Sequence, residues 1–207
     1  MNLKTSRIAI AALLASSTMS VAQDWSGPYA TAGFEAGVVT FEDLSFGDEG
    51  LGEIDFDNAS LTASIGYNHK FNSFIIGGEI GASLGGGTGE DEAYLLPVER
   101  GTSLSARVRL GYDAGQFLPY LTAGIVRTDF EADHQGGGAD DDFAEDRAQG
   151  TLVGVGLDYR VNAAYFVRFE VSQVEYKDGV FGFYDGSDEH EYAASEKNVS
   201  LQVGFSF

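Results

Sequence analysis

The chain has 207 residues, a formal net charge of −20, 28 glycines, only 3 prolines and no cysteine. The acidic balance excludes a nucleic-acid-binding protein, which needs clustered bases, and the lack of cysteine excludes stabilisation by disulfides. The 10 tyrosines and 15 phenylalanines, together with the many glycines, favour an all-β chain.

Residues 1–22 carry the pattern of a cleavable export signal. Lys4 and Arg7 precede a short apolar run over residues 8–15, and small residues, the second being Ala22, occupy the two positions that a signal peptidase reads. The pattern predicts cleavage after Ala22. The apolar run is too short for a membrane-spanning helix, which needs about 20 residues. We therefore expect a signal peptide over 1–22 and one exported domain over 23–207.

Eight later segments alternate apolar and polar residues with a period of two, which is typical of strands with one buried face. In chain order they run over residues 30–38, 59–68, 74–84, 103–112, 120–125, 153–160, 165–172 and 198–207. An even number of strands of about 10 residues is expected of the smallest outer-membrane barrels. The alternation breaks at residues 172–174, which predicts a β-bulge in the seventh strand.

The links between these strands alternate in length. Residues 70–73, 113–116 and 161–164 form short links, whereas 42–57, 86–101, 131–149 and 177–196 form long ones. Short periplasmic turns and long outer loops are the rule in outer-membrane barrels, whereas a soluble β-sandwich, the alternative fold, gives no reason for the difference. Ten aromatic residues lie beside the short links, and we interpret them as an interfacial girdle: Tyr29, Tyr67, Phe71, Phe74, Tyr112, Phe117, Tyr120, Tyr159, Tyr165 and Phe207.

Four acids and four bases fall on the polar face of the predicted strands, which in a barrel is the lumen. They are Glu35, Glu79, Arg107, Arg109, Asp158, Arg160, Arg168 and Glu170. Each would cost about 2–4 kcal/mol on the lipid face, whereas inside the barrel they can pair, with Asp158 expected opposite Arg168. The interior of an eight-stranded barrel is just wide enough for side chains to fill. We therefore predict a plugged polar core, and a narrow diffusion channel is the alternative because charged lumens can tune selectivity.

The long links hold most of the carboxylates, and one of them faintly resembles a calcium loop. Its candidate ligands are Asp140, Asp141, Asp142 and Glu145, but the alternating Asp spacing and central Gly of an EF-hand are missing. We expect no dedicated metal site, only weak, shared binding of divalent cations or plain solvation. Catalysis is not expected either, because none of His69, His134 and His190 lies in a pattern that would activate a serine, and there is no cysteine nucleophile. No cofactor is implied.

Three motifs resemble those of a known family. The WSGPY sequence at 25–29 looks like the opening of the OmpA-like transmembrane domains and opacity-type surface proteins of Gram-negative outer membranes. The segments 107–112 and 117–124 look like the family's central hairpin, and Phe205 and Phe207 resemble the terminal signal that the outer-membrane assembly machinery reads. The resemblance implies structural, surface-antigen and sometimes adhesive roles, and it carries no catalytic residues.

Together these observations predict an eight-stranded antiparallel up-and-down transmembrane β-barrel with short periplasmic turns and long acidic extracellular loops. We expect a non-enzymatic, monomeric protein of the Gram-negative outer membrane with a structural or surface-antigen role. Its expected partners are outer-membrane lipid, lipopolysaccharide and the outer-membrane assembly machinery. The alternatives are a narrow porin-like diffusion channel and an adhesin that acts through the acidic loops.

Overall fold

The computed structural model describes residues 24–43, 53–90, 97–132, 144–177 and 192–207. The predicted signal peptide and its cleavage position, Ala22, lie outside these ranges. The strands are β1 (Gly27–Asp43), β2 (Glu53–Phe71), β3 (Phe74–Leu84), β4 (Thr88–Glu90), β5 (Pro97–Tyr112), β6 (Phe117–Ala132), β7 (Ala144–Arg160), β8 (Tyr165–Tyr176) and β9 (Tyr192–Ser206). In the described ranges no helix is long and apolar enough to cross a membrane.

The strands form one closed antiparallel barrel. Apart from β3 and β4, each strand pairs with its neighbours in the chain, and β9 pairs with β1 through fifteen consecutive residue pairs, which joins the two ends of the sheet. The short strand β4 follows β3 after an interruption at residues 85–87, where Gly85 has a φ of 98°, and both pair with β5. Counting β3 and β4 as one interrupted strand, the wall has eight strands, which confirms the predicted fold.

The two faces of the wall differ sharply in polarity. Apolar side chains point outward and stay exposed, such as Phe34 at 72% and Ile125 at 68%. Polar and charged side chains alternate with them and point inward, such as Asp158 at 1%. A continuous exposed apolar surface of this extent marks an interaction with another apolar phase. The period of two seen in the sequence is therefore the period of a wall with a polar inside and an apolar outside.

The short links lie together at one end of the barrel, which we call the turn end, and the opposite end is the loop end. The β2–β3 turn has only two residues between its strands, and Asn72 adopts a φ of 55° there. Asn tolerates this left-handed conformation better than most residues, which suits it to a tight hairpin turn. The centres of the long links, residues 44–52, 91–96, 133–143 and 178–191, lie outside the described ranges.

Toward the loop end the strands run several residues further than predicted. There the pattern inverts, because apolar side chains such as Val39, Val126 and Leu152 point inward and are buried. An outer face without apolar residues does not resemble a lipid-facing strand, so the strands predicted from the sequence end too early.

The predicted bulge at residues 172–174 is wrong, because β8 pairs in continuous register with β7 and β9. The break in the alternation at residues 172–174 is the start of the inversion toward inward apolar side chains, because Val174 points inward and is only 2% exposed. The register shift lies instead on β5, between Arg100 and Ser103.

Candidate functional site

Six inward side chains form an ion-pair cluster in the lumen, which we call the central network: Glu79, Arg107, Arg109, Asp158, Arg168 and Glu170. Arg168 is fully buried at its centre. Its Nε donates to Asp158 Oδ1 at 2.9 Å and its Nη1 donates to Glu79 Oε2 at 2.7 Å. Asp158 is the direct partner of Arg168 on β7, whereas Glu79 belongs to the non-neighbouring strand β3. Arg168 therefore links opposite parts of the wall across the lumen.

The guanidinium groups of Arg107 and Arg109 complete a network in which positive and negative side chains alternate. Arg109 Nη2 donates to Asp158 Oδ2 at 2.8 Å. Arg107 donates to Glu170 Oε1 at 2.6 Å and also to Glu79. Three carboxylates thus meet three guanidinium groups, so the central network is neutral. Removing either kind of partner would leave a buried charge without compensation, which is strongly destabilising.

Two tyrosines from the turn end are part of this network. Tyr29 donates its hydroxyl to Glu79 at 2.7 Å, and Tyr120 donates to Glu170 at 2.6 Å. Both are only 3% exposed, so their assignment to the outer girdle is wrong, and the other eight girdle residues are exposed at the turn end. The strand parity places both tyrosines inward, and their hydroxyl groups reach partners that only the lumen offers.

A local sequence signal could have found these inward rings. Tyr29 lies directly opposite Gly66 on β2, and Tyr120 lies directly opposite Gly156 on β7. A Cβ at either glycine would overlap the tyrosine ring. An inward aromatic thus lies over an inward glycine on the next strand, because the narrow lumen has no room for two side chains at that point.

A second cluster lies closer to the loop end and contains Glu35, Arg100 and Glu196. Arg100 Nε lies 3.0 Å from Glu196 Oε1, and Arg100 Nη2 lies 4.0 Å from Glu35 Oε1. Tyr176 and Asn58 donate to Glu196 at 2.7 and 2.6 Å. The sequence reading placed Arg100 and Glu196 in loops. It missed them because the bulge interrupts the alternation on β5, and because β9 turns polar on its outer face at Lys197.

Arg160, predicted in the lumen, does not join either cluster. It lies at the turn end, with its guanidinium carbon 4.1 Å from the centre of the Trp25 ring. Trp25 Nε1 donates to the carbonyl of Gly115 at 3.1 Å, which fixes the indole across the turn-end mouth. Nearby, Lys70 Nζ and Asp113 Oδ2 form a rim ion pair at 2.6 Å.

Buried apolar and aromatic residues form a cluster at each end of the described lumen, and we call the two clusters caps. The turn-end cap consists of Trp25, Tyr29, Ile75, Leu118 and Phe166. The loop-end cap consists of Val39, Val126, Phe130, Leu152, Val174, Tyr176 and Ala194. Between the central network and the loop-end cap, a cavity of about 30 Å³ borders Glu35 and Arg100, which is room for about one water molecule. Between the two caps, the described part of the lumen holds the side chains of the central network and of the second cluster.

The remaining predicted residues are the candidate calcium ligands and the two phenylalanines of the assembly signal. Asp140, Asp141 and Asp142 are outside the described ranges, and only the backbone of Glu145 is described, in β7. No group of three metal-ligating side chains occurs among the residues that the structure describes. Phe205 and Phe207 pack edge to face at the turn end, with ring centres 5.0 Å apart.

The comparisons with known proteins agree with this architecture. The family model described as "Outer membrane protein beta-barrel domain" matches residues 8–207, whereas no curated protein matches the sequence. Neisserial surface protein A has 17% sequence identity and a TM-score of 0.53, and the alignment covers 88% of this chain and 98% of that one. OprG from Pseudomonas aeruginosa has 14% identity and a TM-score of 0.59, with 89% and 98% covered. With its closed wall, its apolar outer face and a family match over nearly its whole length, the chain belongs to the outer membrane protein β-barrel domain family and is a protein of the outer membrane.

Proposed function

We propose that this protein is a closed, non-conducting and non-enzymatic barrel that serves the outer membrane as a structural surface protein, with its turn end in the periplasm and its loop end outside. The observation that carries the proposal is the filled lumen. A charged core with all six ion-pair members interlocked lies between two apolar caps. Such an interior stabilises a wall and leaves no route for a solute.

The energetics of the central network support closure. An ion that passes this level has to displace Arg168, whose side chain is fully buried and bonded to two carboxylates. Breaking a buried pair by removing one partner costs about 3–5 kcal/mol. Because the network involves β3, β5, β7 and β8, no single side-chain rotation opens a path through it.

The described residues also favour a role without catalysis. His69 is the one histidine within the described ranges, and it points outward and is exposed near the turn end. The three carboxylates of the central network accept hydrogen bonds from arginine and tyrosine rather than from a serine. Glu35 does accept from Ser60 and Ser83, but Arg100 lies 4.0 Å from the same oxygen, and the one described histidine is at the other end of the barrel. Nucleophilic catalysis needs a base that a third group orients beside the nucleophile.

Conductance in planar lipid bilayers tests the proposal. We expect the folded full-length protein to give no steady conductance steps above the bare membrane. The positive control is a variant with Trp25→Ala, Arg109→Ala and Arg168→Ala, which removes bulk at the turn-end mouth and in the central network. Steady, large steps from the unmodified protein would contradict the closed barrel. The structural role is tested separately in a strain that lacks the protein, which should become more sensitive to detergent and recover with the unmodified gene.

A further inference from the structure

The two charged clusters of the lumen differ in their balance of charge. The central network pairs three carboxylates with three guanidinium groups. In the second cluster two carboxylates, Glu35 and Glu196, share the guanidinium group of Arg100, and Arg160 lies away from it at the turn-end mouth. Between the caps, the described side chains therefore include five carboxylates but four guanidinium groups. One buried negative charge is left over in the second cluster, which is strongly unfavourable unless a positive charge joins it.

Glu35 is the carboxylate of this cluster with the weaker partners. Arg100 Nε lies 3.0 Å from Glu196 Oε1, whereas its Nη2 lies 4.0 Å from Glu35 Oε1. Ser60 and Ser83 donate to the same Glu35 oxygen at 3.4 and 3.2 Å. The other oxygen, Oε2, accepts no hydrogen bond from a residue that the structure describes. Half of this carboxylate is thus open to a further ligand.

The small cavity described above lies at this carboxylate. Besides Glu35 and Arg100, its wall includes Thr62 and Ser105, whose hydroxyl groups make no hydrogen bond within the described part of the chain. Gly81, inward on β3 and directly opposite Ser105 on β5, leaves the space because it has no side chain. The volume of about 30 Å³ suits one particle of the size of a water molecule.

We propose that this cavity binds one monovalent cation such as Na⁺, with the carboxylate of Glu35 and the hydroxyl oxygens of Thr62 and Ser105 as ligands. Hard cations bind to oxygen ligands, and carboxylates are foremost among these. The charge balance selects the valence, because one positive charge neutralises the second cluster whereas a divalent ion would leave it positive. Arg107 also borders the cavity, but its charge is already balanced by Glu79 and Glu170.

The hydrogen bonds at Glu35 favour a cation over the simplest alternative, a proton on the carboxyl group. Ser60 and Ser83 donate to Glu35, and the guanidinium group of Arg100 lies on the same side. Donors and positive charges in this arrangement stabilise the ionised form of a carboxylate. In the closed barrel proposed above, such a cation is a resident of the fold and not a permeant ion.

Urea unfolding of the full-length protein in uncharged phospholipid vesicles tests the inference, with Na⁺ exchanged for choline at constant pH and ionic strength. Choline is too large for the cavity. One bound cation lowers the unfolding equilibrium constant about tenfold for each tenfold rise in Na⁺ above its dissociation constant. We expect this dependence for the unmodified protein and its loss in Glu35→Gln, which removes the unpaired charge.

Two further variants separate the cavity from the acidic surface. Thr62→Val removes one proposed ligand and keeps the shape of the side chain, so it should raise the dissociation constant for Na⁺. It gives an independent reading if Glu35→Gln folds poorly. Asp57→Asn removes an exposed carboxylate at the loop end and should leave the dependence on Na⁺ unchanged.

Three results would overturn the inference. The first is equal stability of the unmodified protein in Na⁺ and in choline. The second is a dependence on Na⁺ that is the same in Glu35→Gln and Thr62→Val as in the unmodified protein, since the acidic surface would then bind the ions. The third is a stability that is insensitive to Na⁺ but falls as the pH rises, which would assign the neutralising charge to a proton on Glu35.

Discussion

Replacing Arg168 with methionine removes the central charge of the lumen and keeps an unbranched side chain of moderate length. Arg168 donates to Asp158 at 2.9 and 3.2 Å and to Glu79 at 2.7 Å. After the change Asp158 keeps only Arg109, and the central network carries one uncompensated negative charge. Breaking a buried ion pair by removing one partner costs about 3–5 kcal/mol. We expect the free energy of unfolding to fall by that amount.

Urea unfolding of the protein in phospholipid vesicles measures this loss, with the folded fraction read from the gel mobility of unheated samples. Arg147→Met is the matched control, because its pair with Asp129 has side chains that are 65% and 47% exposed. Exposed pairs of this kind contribute less than about 1 kcal/mol. An Arg168→Met variant as stable as the control would refute the idea that the network supports the wall.

A double-mutant cycle separates the Arg168–Asp158 pair from its surroundings. Asp158→Asn removes the carboxylate charge but keeps the shape of the side chain. We expect the double variant to be less destabilised than the sum of the single variants, with a coupling of about 0.5–3 kcal/mol. Additive losses would mean that the two groups act independently despite their contact.

Three further outcomes follow from particular contacts. Gly156→Ala places a Cβ in the ring of Tyr120, whereas nothing lies within 4 Å of a Cβ at the outward Gly78. We therefore expect a loss of about 1–3 kcal/mol in unfolding titrations for Gly156→Ala and little change for Gly78→Ala; equal losses would contradict the packing. Partial burial of Asp113 in the rim ion pair acts to raise its pKa, but hydrogen bonds from the lysine and a backbone N–H outweigh it and hold the pKa below 3.8. The contribution of the Asp113 carboxylate to stability is therefore complete above about pH 4 and is lost as the pH falls through its lower pKa in the folded protein. NMR titration of the carboxyl group measures this pKa, and a value at or above 3.8 would contradict the expectation. Trp25, the only tryptophan, is buried inside the turn-end mouth, so its fluorescence should resist both acrylamide and brominated lipids, and strong quenching by the lipids would place it outside.

The alternation of residues predicted the wall because a strand's faces follow from local geometry. Segments such as 198–207 and 103–112 show the period of two in full, and the structure has strands there. The strands predicted from this alternation end before the loop end, where Val39, Val174 and their neighbours turn inward. The outer phase there is no longer lipid, so the polarity of the faces reverses while the period stays the same. A pattern search that expects one polarity ends at this reversal.

The contacts between side chains in the lumen could not be predicted from the sequence. The period of two assigns Glu79 and Arg168 to the inner face, but the two are 89 positions apart and on strands that do not pair. Their contact exists because the sheet closes on itself and because its interior is only a few side chains wide. The sequence by itself determined the strand faces and the short hairpins, and it predicts an export signal, since each of these depends on neighbouring residues alone. Only the tertiary structure decided which charges meet, that Tyr29 and Tyr120 bond to Glu79 and Glu170, and that Arg100 and Glu196 belong to the lumen, because barrel closure and register set distances that no local pattern contains.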